Sequence, residues 1–173
     1  MDFRPFVRDV PDFPRKGVVF KDITPLLAHP RALAESVRRL AGRVLRPEAV
    51  VAIESRGFVF GTGLALEWGV PLVPARKFGK LPGRTVREVY SLEYGEDTLE
   101  IHADALRPGQ PVVIVDDVLA TGGTAAATVR LVEQLEAKAM ALLFLVELLG
   151  LGGRERLASY PVEVLLELPV TTP

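Results

Sequence analysis

Residues 112–127 of the sequence, VVIVDDVLATGGTAAA, contain its strongest signals for both fold and chemistry. The β-branched run 112–115 is typical of a buried strand, and the acids Asp116 and Asp117 interrupt it. A loop of glycine and threonine follows at 120–124, and a helix is predicted over 124–136. In an α/β fold, a loop between a strand and a helix lies at the edge of the sheet where ligands bind. We therefore expect a polar binding site at this point of the chain.

The remaining chain alternates between short apolar runs and segments of helical periodicity. Leu33, Val37 and Leu40 recur at helical spacing, which predicts a helix over 31–45. A second helix is predicted over 58–67. Strands are predicted over 49–53, 70–73, 112–115, 139–146 and 162–168. A pair of strands around a glycine turn at 95–97 is predicted over 85–102. This order predicts an α/β fold: a mostly parallel sheet flanked by helices on both faces, with an inserted antiparallel hairpin.

Length and composition favour an ordinary globular protein. The length of 173 residues predicts one domain over 1–173. The formal net charge of −1 does not favour nucleic acid as a partner. No segment approaches the apolar length of a membrane span, and with no cysteine and no signal core a cytoplasmic location is expected. The sequence lacks asparagine and has 14 prolines, which favours a thermophilic source, with GC-rich codon bias as the alternative.

The loop 120–124 suits an anion such as phosphate. The N–H groups at the start of a helix have no partners within it, and the helix dipole is positive there. Gly122 and Gly123 allow close approach of the backbone, and Thr121 and Thr124 add hydroxyl donors. The loop lacks both the Walker ending Gly-Lys-Ser/Thr and the pattern Gly-x-Gly-x-x-Gly, which disfavours a nucleotide triphosphatase or a dinucleotide enzyme. A simple helix cap is the alternative for this loop.

Asp116 and Asp117 would repel a phosphate placed directly against them. They fit a neighbouring part of the ligand that carries hydroxyl groups, such as the diol of a ribose. The acids and the loop together therefore favour a sugar phosphate over a helix cap.

Segment 76–87 carries five cationic residues and no acid, and it is rich in glycine and proline. A solvated loop is one interpretation of such a segment. A site for a second anion is the other, because the cations follow the end of a predicted strand, as does the segment 54–57 with Arg56. Together these cations could bind a pyrophosphate and stabilise the charge that it gains as it leaves.

Residues 112–124 resemble the phosphoribosyl-pyrophosphate signature of the type I phosphoribosyltransferases, an apolar strand and two acids followed by Thr-Gly-Gly-Thr. The resemblance implies the fold of that family, with a small N-terminal base-binding hood over 1–30. It implies that Asp116 and Asp117 bind the ribose hydroxyls. The 5-phosphate would be bound by Ala120, Thr121, Gly122, Gly123 and Thr124.

Four further segments resemble the adenine-specific branch of this family: 13–27 (FPRKGVVFKDITPLL), 54–58 (ESRGF), 76–83 (RKFGKLPG) and 90–95 (YSLEYG). The match extends from about residue 9 to residue 168. It departs at 15–16, where the branch often has proline before the glycine, and at Glu54, where some members have aspartate.

This resemblance implies a role for each polar cluster. Pyrophosphate would be bound by Ser55, Arg56, Arg76, Lys77 and Lys80. Adenine would be bound by Val19, Phe20, Lys21 and Leu148, although 18–20 also fit a core strand segment. The catalytic residue would be Glu93, whose alternative is an exposed acid in a mobile loop, and 77–97 would form a flexible lid that excludes water.

The implied reaction joins adenine to phosphoribosyl pyrophosphate and yields AMP and pyrophosphate. Magnesium would be the cofactor, held mainly by pyrophosphate oxygens without a dedicated protein site. A homodimer is expected from the resemblance. Two rivals remain open: a sibling enzyme that uses hypoxanthine or xanthine, and a regulator that binds phosphoribosyl pyrophosphate as a sensor and also binds DNA. The second would need an added DNA-binding segment or a strongly basic face, and the sequence offers neither spare length nor excess charge.

Overall fold

The structure, a computed structural model, describes residues 1–92 and 95–170, and for residues 91 and 92 it describes the backbone alone. Its strands are β1 (Arg8–Pro11), β2 (Val19–Asp22), β3 (Ala49–Ile53), β4 (Leu72–Lys77), β5 (Thr85–Leu92), β6 (Gly95–His102), β7 (Pro111–Leu119), β8 (Lys138–Leu149) and β9 (Val162–Pro169). Its α-helices are α1 (Thr24–Leu27), α2 (Pro30–Ala41), α3 (Gly57–Trp68), α4 (Gly123–Gln134) and α5 (Gly153–Arg156), and a 3-10 turn covers Arg4–Phe6. In these described ranges, no helix has the length and apolar content needed to cross a membrane.

A seven-stranded sheet in the order β5-β6-β4-β3-β7-β8-β9 forms the centre of the fold. Strands β4, β3, β7, β8 and β9 pair in parallel, whereas β5 and β6 pair antiparallel. Successive side chains of β3 point to opposite faces, so that Val51 and Ile53 pack towards α4 while Val50 and Ala52 pack towards α2 and α3. The predicted α/β fold, with a mostly parallel sheet covered by helices on both faces, is confirmed.

The predicted antiparallel hairpin is present as β5 and β6, and it belongs to the main sheet. Strand β6 pairs with the end of β4, where Arg76 lies opposite Glu100, and Leu99 and Ile101 are buried in the core. The prediction of a glycine turn at 95–97 is wrong, because Gly95 pairs with Leu92 and already belongs to β6. The base of the predicted lid is therefore packed into the fold.

A separate two-stranded antiparallel sheet, β1–β2, forms part of the N-terminal hood. Strand β1 has no clear signal in the sequence, since it is short and consists of Arg, Asp, Val and Pro. Strand β2 contains Val19 and Phe20, the segment that also fitted a strand in the sequence.

Strand β7 continues beyond its predicted end at Val115, through both acids to Leu119. Asp116 pairs with Phe144 of β8 and Leu119 pairs with Glu147, so the ladder between β7 and β8 extends past the acids. Pairing with β8 outweighs the low intrinsic preference of aspartate for strands, although β3 pairs only with residues 112–115 of β7. The two acids therefore lie where β7 runs past its pairing with β3, near the middle of the sheet.

Candidate active site

A cavity of about 560 Å³ opens at the carboxyl ends of the central strands, between the sheet and β2 of the hood. Its volume lies in the range of small-molecule sites. The predicted site residues that line it are Val19, Phe20, Lys21, Ser55, Arg56, Lys77, Asp116, Asp117, Ala120, Thr124 and Leu148. The structure thus brings together residues from every cluster that the sequence singled out, except the one at Glu93.

Several predicted site residues do not contribute to the lining of this cavity. They are Arg76, Lys80, Thr121, Gly122 and Gly123. Glu93 lies outside the described residues. Gly122 and Gly123 are buried within the loop, whereas Thr121 and Lys80 are exposed.

The glycine loop leads directly into α4, and Gly122 is its N-cap with a φ of +75°. No side chain caps this helix, so the N–H groups of its first turn are left without a side-chain acceptor. The loop lies against Gly153 of α5, where a Cβ on Gly122 would come 2.9 Å from the Gly153 carbonyl oxygen. Only glycine fits at Gly122, which needs both the left-handed backbone and this close approach.

The two acids differ in their surroundings. Asp117 is 4% exposed, and its Oδ2 lies 2.5 Å from Nε of Arg56 as an ion pair without hydrogen-bond geometry. This buried oxygen therefore has no hydrogen-bond donor among the described residues. Burial raises the pKa of Asp116 well above its ordinary value, and the neighbouring charge of Asp117 raises it further. The pair thus combines a carboxylate that is ion-paired with Arg56 and a carboxyl group whose pKa is raised.

The start of α3 is packed directly against these acids. A Cβ on Gly57 would lie 2.9 Å from both Asp116 Oδ1 and the Val115 carbonyl oxygen. Glycine at this position lets the helix approach the strand and brings the preceding Arg56 to Asp117.

Three of the predicted pyrophosphate-binding cations are already paired with acids. Lys77 Nζ lies 3.0 Å from Asp97 Oδ2, and this contact raises the pKa of Lys77. Arg76 donates to both carboxylate oxygens of Glu54 at 3.0 and 3.2 Å. The third is Arg56, through Asp117. Pyrophosphate would therefore have to exchange with internal carboxylates to reach these cations.

The side of the cavity that was predicted to bind a base is built around Phe20. The Arg56 guanidinium lies over the Phe20 ring, 4.9 Å from its centroid, and Phe13 meets the same ring edge-on at 5.2 Å. The ammonium of Lys21 lies 2.8 Å from both carboxylate oxygens of Asp9 on β1. Leu148 completes the lining from β8. A flat base could stack on this aromatic and cationic surface.

Sequence reasoning missed six residues that also line the cavity: Val18, Glu54, Tyr90, Asp97, Leu99 and Val118. Tyr90 and Asp97 are opposite each other in the hairpin, and the Tyr90 hydroxyl lies 3.3 Å from Asp97 Oδ2. Burial raises the pKa of Tyr90. The correct hairpin register would have found this pair, because it places residues 90 and 97 side by side.

The described part of the chain contains no group of three or more His, Cys, Asp or Glu side chains able to hold a metal ion. Among the described residues, three cationic and four acidic side chains line the cavity, so their charges are close to balanced. The arrangement offers hydrogen-bond donors, a pair of adjacent acids and an aromatic ring within one cavity, as a sugar phosphate joined to a base requires.

A family model described as "Phosphoribosyl transferase domain" matches residues 21–168, which include almost all of the cavity lining. The chain belongs to this family. The match covers the strand, the acids and the glycine loop that indicated it in the sequence.

Similar proteins narrow the position of the chain within the phosphoribosyltransferases. An adenine phosphoribosyltransferase of Carboxydothermus hydrogenoformans is 56% identical over 169 residues, which cover 96% of this chain and 99% of the relative. The crystal structure of adenine phosphoribosyltransferase from Thermoanaerobacter pseudethanolicus matches with a TM-score of 0.93 and 47% identity, covering 96% of this chain and 98% of the other. The resemblance to the adenine-specific branch is confirmed.

A third match carries ligands. The adenine phosphoribosyltransferase of Saccharomyces cerevisiae, complexed with adenine and D-2,5-dideoxy-2,5-imino-altritol 1,6-bisphosphate, matches with a TM-score of 0.85 and 41% identity. The alignment covers 94% of this chain and 95% of the yeast chain.

Proposed function

We propose that this phosphoribosyltransferase is a magnesium-dependent purine-salvage enzyme that makes AMP and pyrophosphate from adenine and phosphoribosyl pyrophosphate. The observation that carries the proposal is one cavity that joins a glycine loop, a carboxylate pair and an aromatic hood residue. The similarity to adenine phosphoribosyltransferases over 96% of the chain supports adenine as the base.

The sugar phosphate fits the part of the cavity between β7 and α4. The uncapped first turn of α4, with Thr121 and Thr124, would donate to the 5-phosphate. The buried oxygen of Asp117, which has no donor in the described structure, would accept from a ribose hydroxyl. Asp116 lies beside it in the lining of the same cavity and would contribute the second carboxyl group to the ribose.

Pyrophosphate would bind on the side of the cavity lined by Ser55, Arg56 and Lys77, with Arg76 and Lys80 as further predicted contacts. These cations would stabilise the charge that develops on the leaving pyrophosphate. Bound Mg²⁺ would neutralise part of that charge. Pyrophosphate would supply most of its ligands, and the carboxyl groups of Asp116 and Asp117, which line the same cavity, are oxygen donors of the kind such a cation prefers.

Adenine would stack on Phe20, with Val19, Lys21 and Leu148 around it. In the reaction, the bond from the anomeric carbon to pyrophosphate breaks, a bond to adenine forms, and adenine loses a proton. Glu93 is proposed to position the base, relay this proton or stabilise positive charge on the ribose. Residues 77–97 are proposed as a lid, whose base would stay in place because Val86 and Tyr90 of β5 pack against the core.

Homodimer formation, a cytoplasmic location and a thermophilic source stay predictions. Gel filtration with light scattering measures the first, and a thermal melt bears on the last.

The activity can be tested with purified protein, phosphoribosyl pyrophosphate and Mg²⁺, with adenine, hypoxanthine, guanine and xanthine supplied separately. We expect nucleotide formation with adenine alone, detected by chromatography, and its loss when Mg²⁺ is chelated. Turnover with another purine would keep the sugar-phosphate site and contradict the assignment of the base pocket. Tight binding of the activated sugar without turnover of any base would favour a sensor.

A further inference from the structure

The carboxylate of Glu100 lies beneath the cation-bearing loop that follows β4. Glu100 is 1% exposed on β6, and its Oε1 accepts hydrogen bonds from three consecutive backbone N–H groups of that loop. The donors are Gly79 at 3.0 Å, Lys80 at 3.1 Å and Leu81 at 3.1 Å. Three donors that converge on one buried oxygen fix the path of the loop far more tightly than a single hydrogen bond would.

The second carboxylate oxygen of Glu100 is also occupied. Thr85 Oγ1 donates to Oε2 at 3.0 Å, and Arg87 Nε lies 3.6 Å away. Burial alone would raise the pKa of Glu100, but the hydrogen bonds from Leu81, Thr85 and the other loop N–H groups outweigh it and lower the pKa. The side chain is therefore held as a carboxylate, the form that accepts all of these hydrogen bonds.

Other contacts also hold the loop. The Phe78 N–H donates to the Thr98 carbonyl oxygen at 2.9 Å, and Arg76 Nη1 donates to the Lys80 carbonyl oxygen at 3.2 Å while the rest of its guanidinium binds Glu54. Lys77, which precedes the loop directly, lines the cavity. The backbone of Lys77 is held in β4 by its pairing with β6, whereas the backbone of Lys80 is held by the buried carboxylate of Glu100.

We propose that Glu100 is a positioning residue for pyrophosphate binding: its buried carboxylate holds the loop 78–81 so that Lys80 is presented, next to Lys77 at the end of β4, to the pyrophosphate end of the substrate. This inference rests on the proposed function. Glu100 does not line the cavity and acts through the loop. Without the carboxylate, the loop would have to become ordered when pyrophosphate binds. The entropy cost of that ordering would weaken the binding of pyrophosphate more than the binding of adenine.

Two variants remove parts of the anchor. Glu100→Gln keeps the length of the side chain and removes the charge, and Thr85→Val removes one donor while leaving the carboxylate in place. Thr85→Ser, which restores the hydroxyl, is the conservative partner of Thr85→Val. Glu67→Gln, at an exposed position near the end of α3, is the control for loss of a carboxylate. Thermal melts establish that each variant is folded at the assay temperature.

The measurements are the dissociation constant of pyrophosphate by calorimetry and the KM values for phosphoribosyl pyrophosphate and adenine. We expect Glu100→Gln to weaken the binding of pyrophosphate and to raise the KM for phosphoribosyl pyrophosphate about tenfold, whereas the KM for adenine should change less than about twofold. Thr85→Val should raise the dissociation constant of pyrophosphate roughly threefold. Thr85→Ser and Glu67→Gln should bind pyrophosphate as the wild type does.

Equal changes in both KM values, or unaltered pyrophosphate affinity in folded Glu100→Gln, would overturn the proposal. If Glu100→Gln does not fold, the Thr85 pair decides, because equal affinity in Thr85→Val and Thr85→Ser would also overturn it. Pyrophosphate binding does not depend on which base is used. A wild-type protein that fails to use adenine would therefore remove the proposed function, while the calorimetric comparison would still test Glu100.

Discussion

Replacing Gly57 with alanine tests whether the close contact between α3 and β7 holds the acid pair in place. The new Cβ would lie 2.9 Å from Asp116 Oδ1, 2.9 Å from the Val115 carbonyl oxygen and 3.1 Å from the Asp116 Cα. Normal contacts of this kind are about 3.5 Å, so helix and strand would have to separate by roughly 0.5 Å. Two of the three atoms belong to the backbone of a central strand, which cannot rotate out of the way.

The expected cost follows from that separation. Overpacking of a well-packed site costs about 1–3 kcal/mol, and the better helix preference of alanine returns up to about 1 kcal/mol. A net loss of about 1–2 kcal/mol corresponds to a decrease in Tm of about 2–8 °C for a chain of this size. Because the shift also moves Asp116 and Arg56, we expect kcat/KM for phosphoribosyl pyrophosphate to fall about tenfold.

Differential scanning calorimetry and initial-rate kinetics measure the two effects. Gly42→Ala is the matched control, because its Cβ would meet only ordinary contacts at 3.5 and 3.7 Å and its φ of −74° suits alanine. That variant should melt at or slightly above the wild-type temperature, with unchanged kinetics. A Gly57→Ala protein that melts and turns over like the wild type would refute the reasoning.

Four other changes have expected outcomes. Glu93→Ala should lower kcat by at least about tenfold with little change in sugar-phosphate affinity, and an unchanged kcat in steady-state assays would remove Glu93 from the mechanism. Thr124→Val should lower the affinity for phosphoribosyl pyrophosphate measured by calorimetry. An affinity equal to that of the wild type would contradict the assignment of the 5-phosphate to the loop 120–124. Glu147→Gln removes the negative charge that pairs with Arg154 and leaves only one acceptor oxygen, so urea unfolding should show a loss of about 1–3 kcal/mol in the free energy of unfolding, whereas no loss would make this ion pair dispensable. Hydrogen bonds from the Thr24 N–H and Arg8 lower the pKa of Asp22 from 3.8 to about 2, so the stabilisation by its carboxylate is full above about pH 4 and is lost towards about pH 2. The difference in free energy of unfolding between wild type and Asp22→Asn should therefore shrink over that range. A constant difference would show that the Asp22 carboxylate is not its source.

The sequence predicted the order of the large elements because each has a local signal. Residues 49–53 form a short run of apolar residues only, which predicts a buried strand, and strand β3 has these predicted bounds. Helix α2 was predicted to reach residue 45 but ends at Ala41, since Gly42 follows and is a poor helix former. The end of β7 was misplaced because its extension depends on pairing with β8, which local preference does not encode.

The site was predictable where one segment supplies several groups, as in the acids and the glycine loop. It was not predictable where distant elements supply partners for one another. Lys77 and Asp97 come from β4 and β6, and Arg56 and Asp117 come from the start of α3 and from β7, so their pairing depends on three-dimensional packing. A count of cations in segment 76–87 therefore overstated the positive charge available to a ligand.

The hood strands β1 and β2 form a sheet of their own, apart from the seven-stranded sheet that carries the acids and the glycine loop. On the proposed assignment, most of the surface offered to the base and the surface offered to the sugar phosphate would belong to two separately hydrogen-bonded scaffolds. Residues around Phe20 could then change without disturbing the ladder that aligns Asp116 and Asp117. Such a division would let one sugar-phosphate scaffold accept a new nucleobase through substitutions in a short N-terminal stretch.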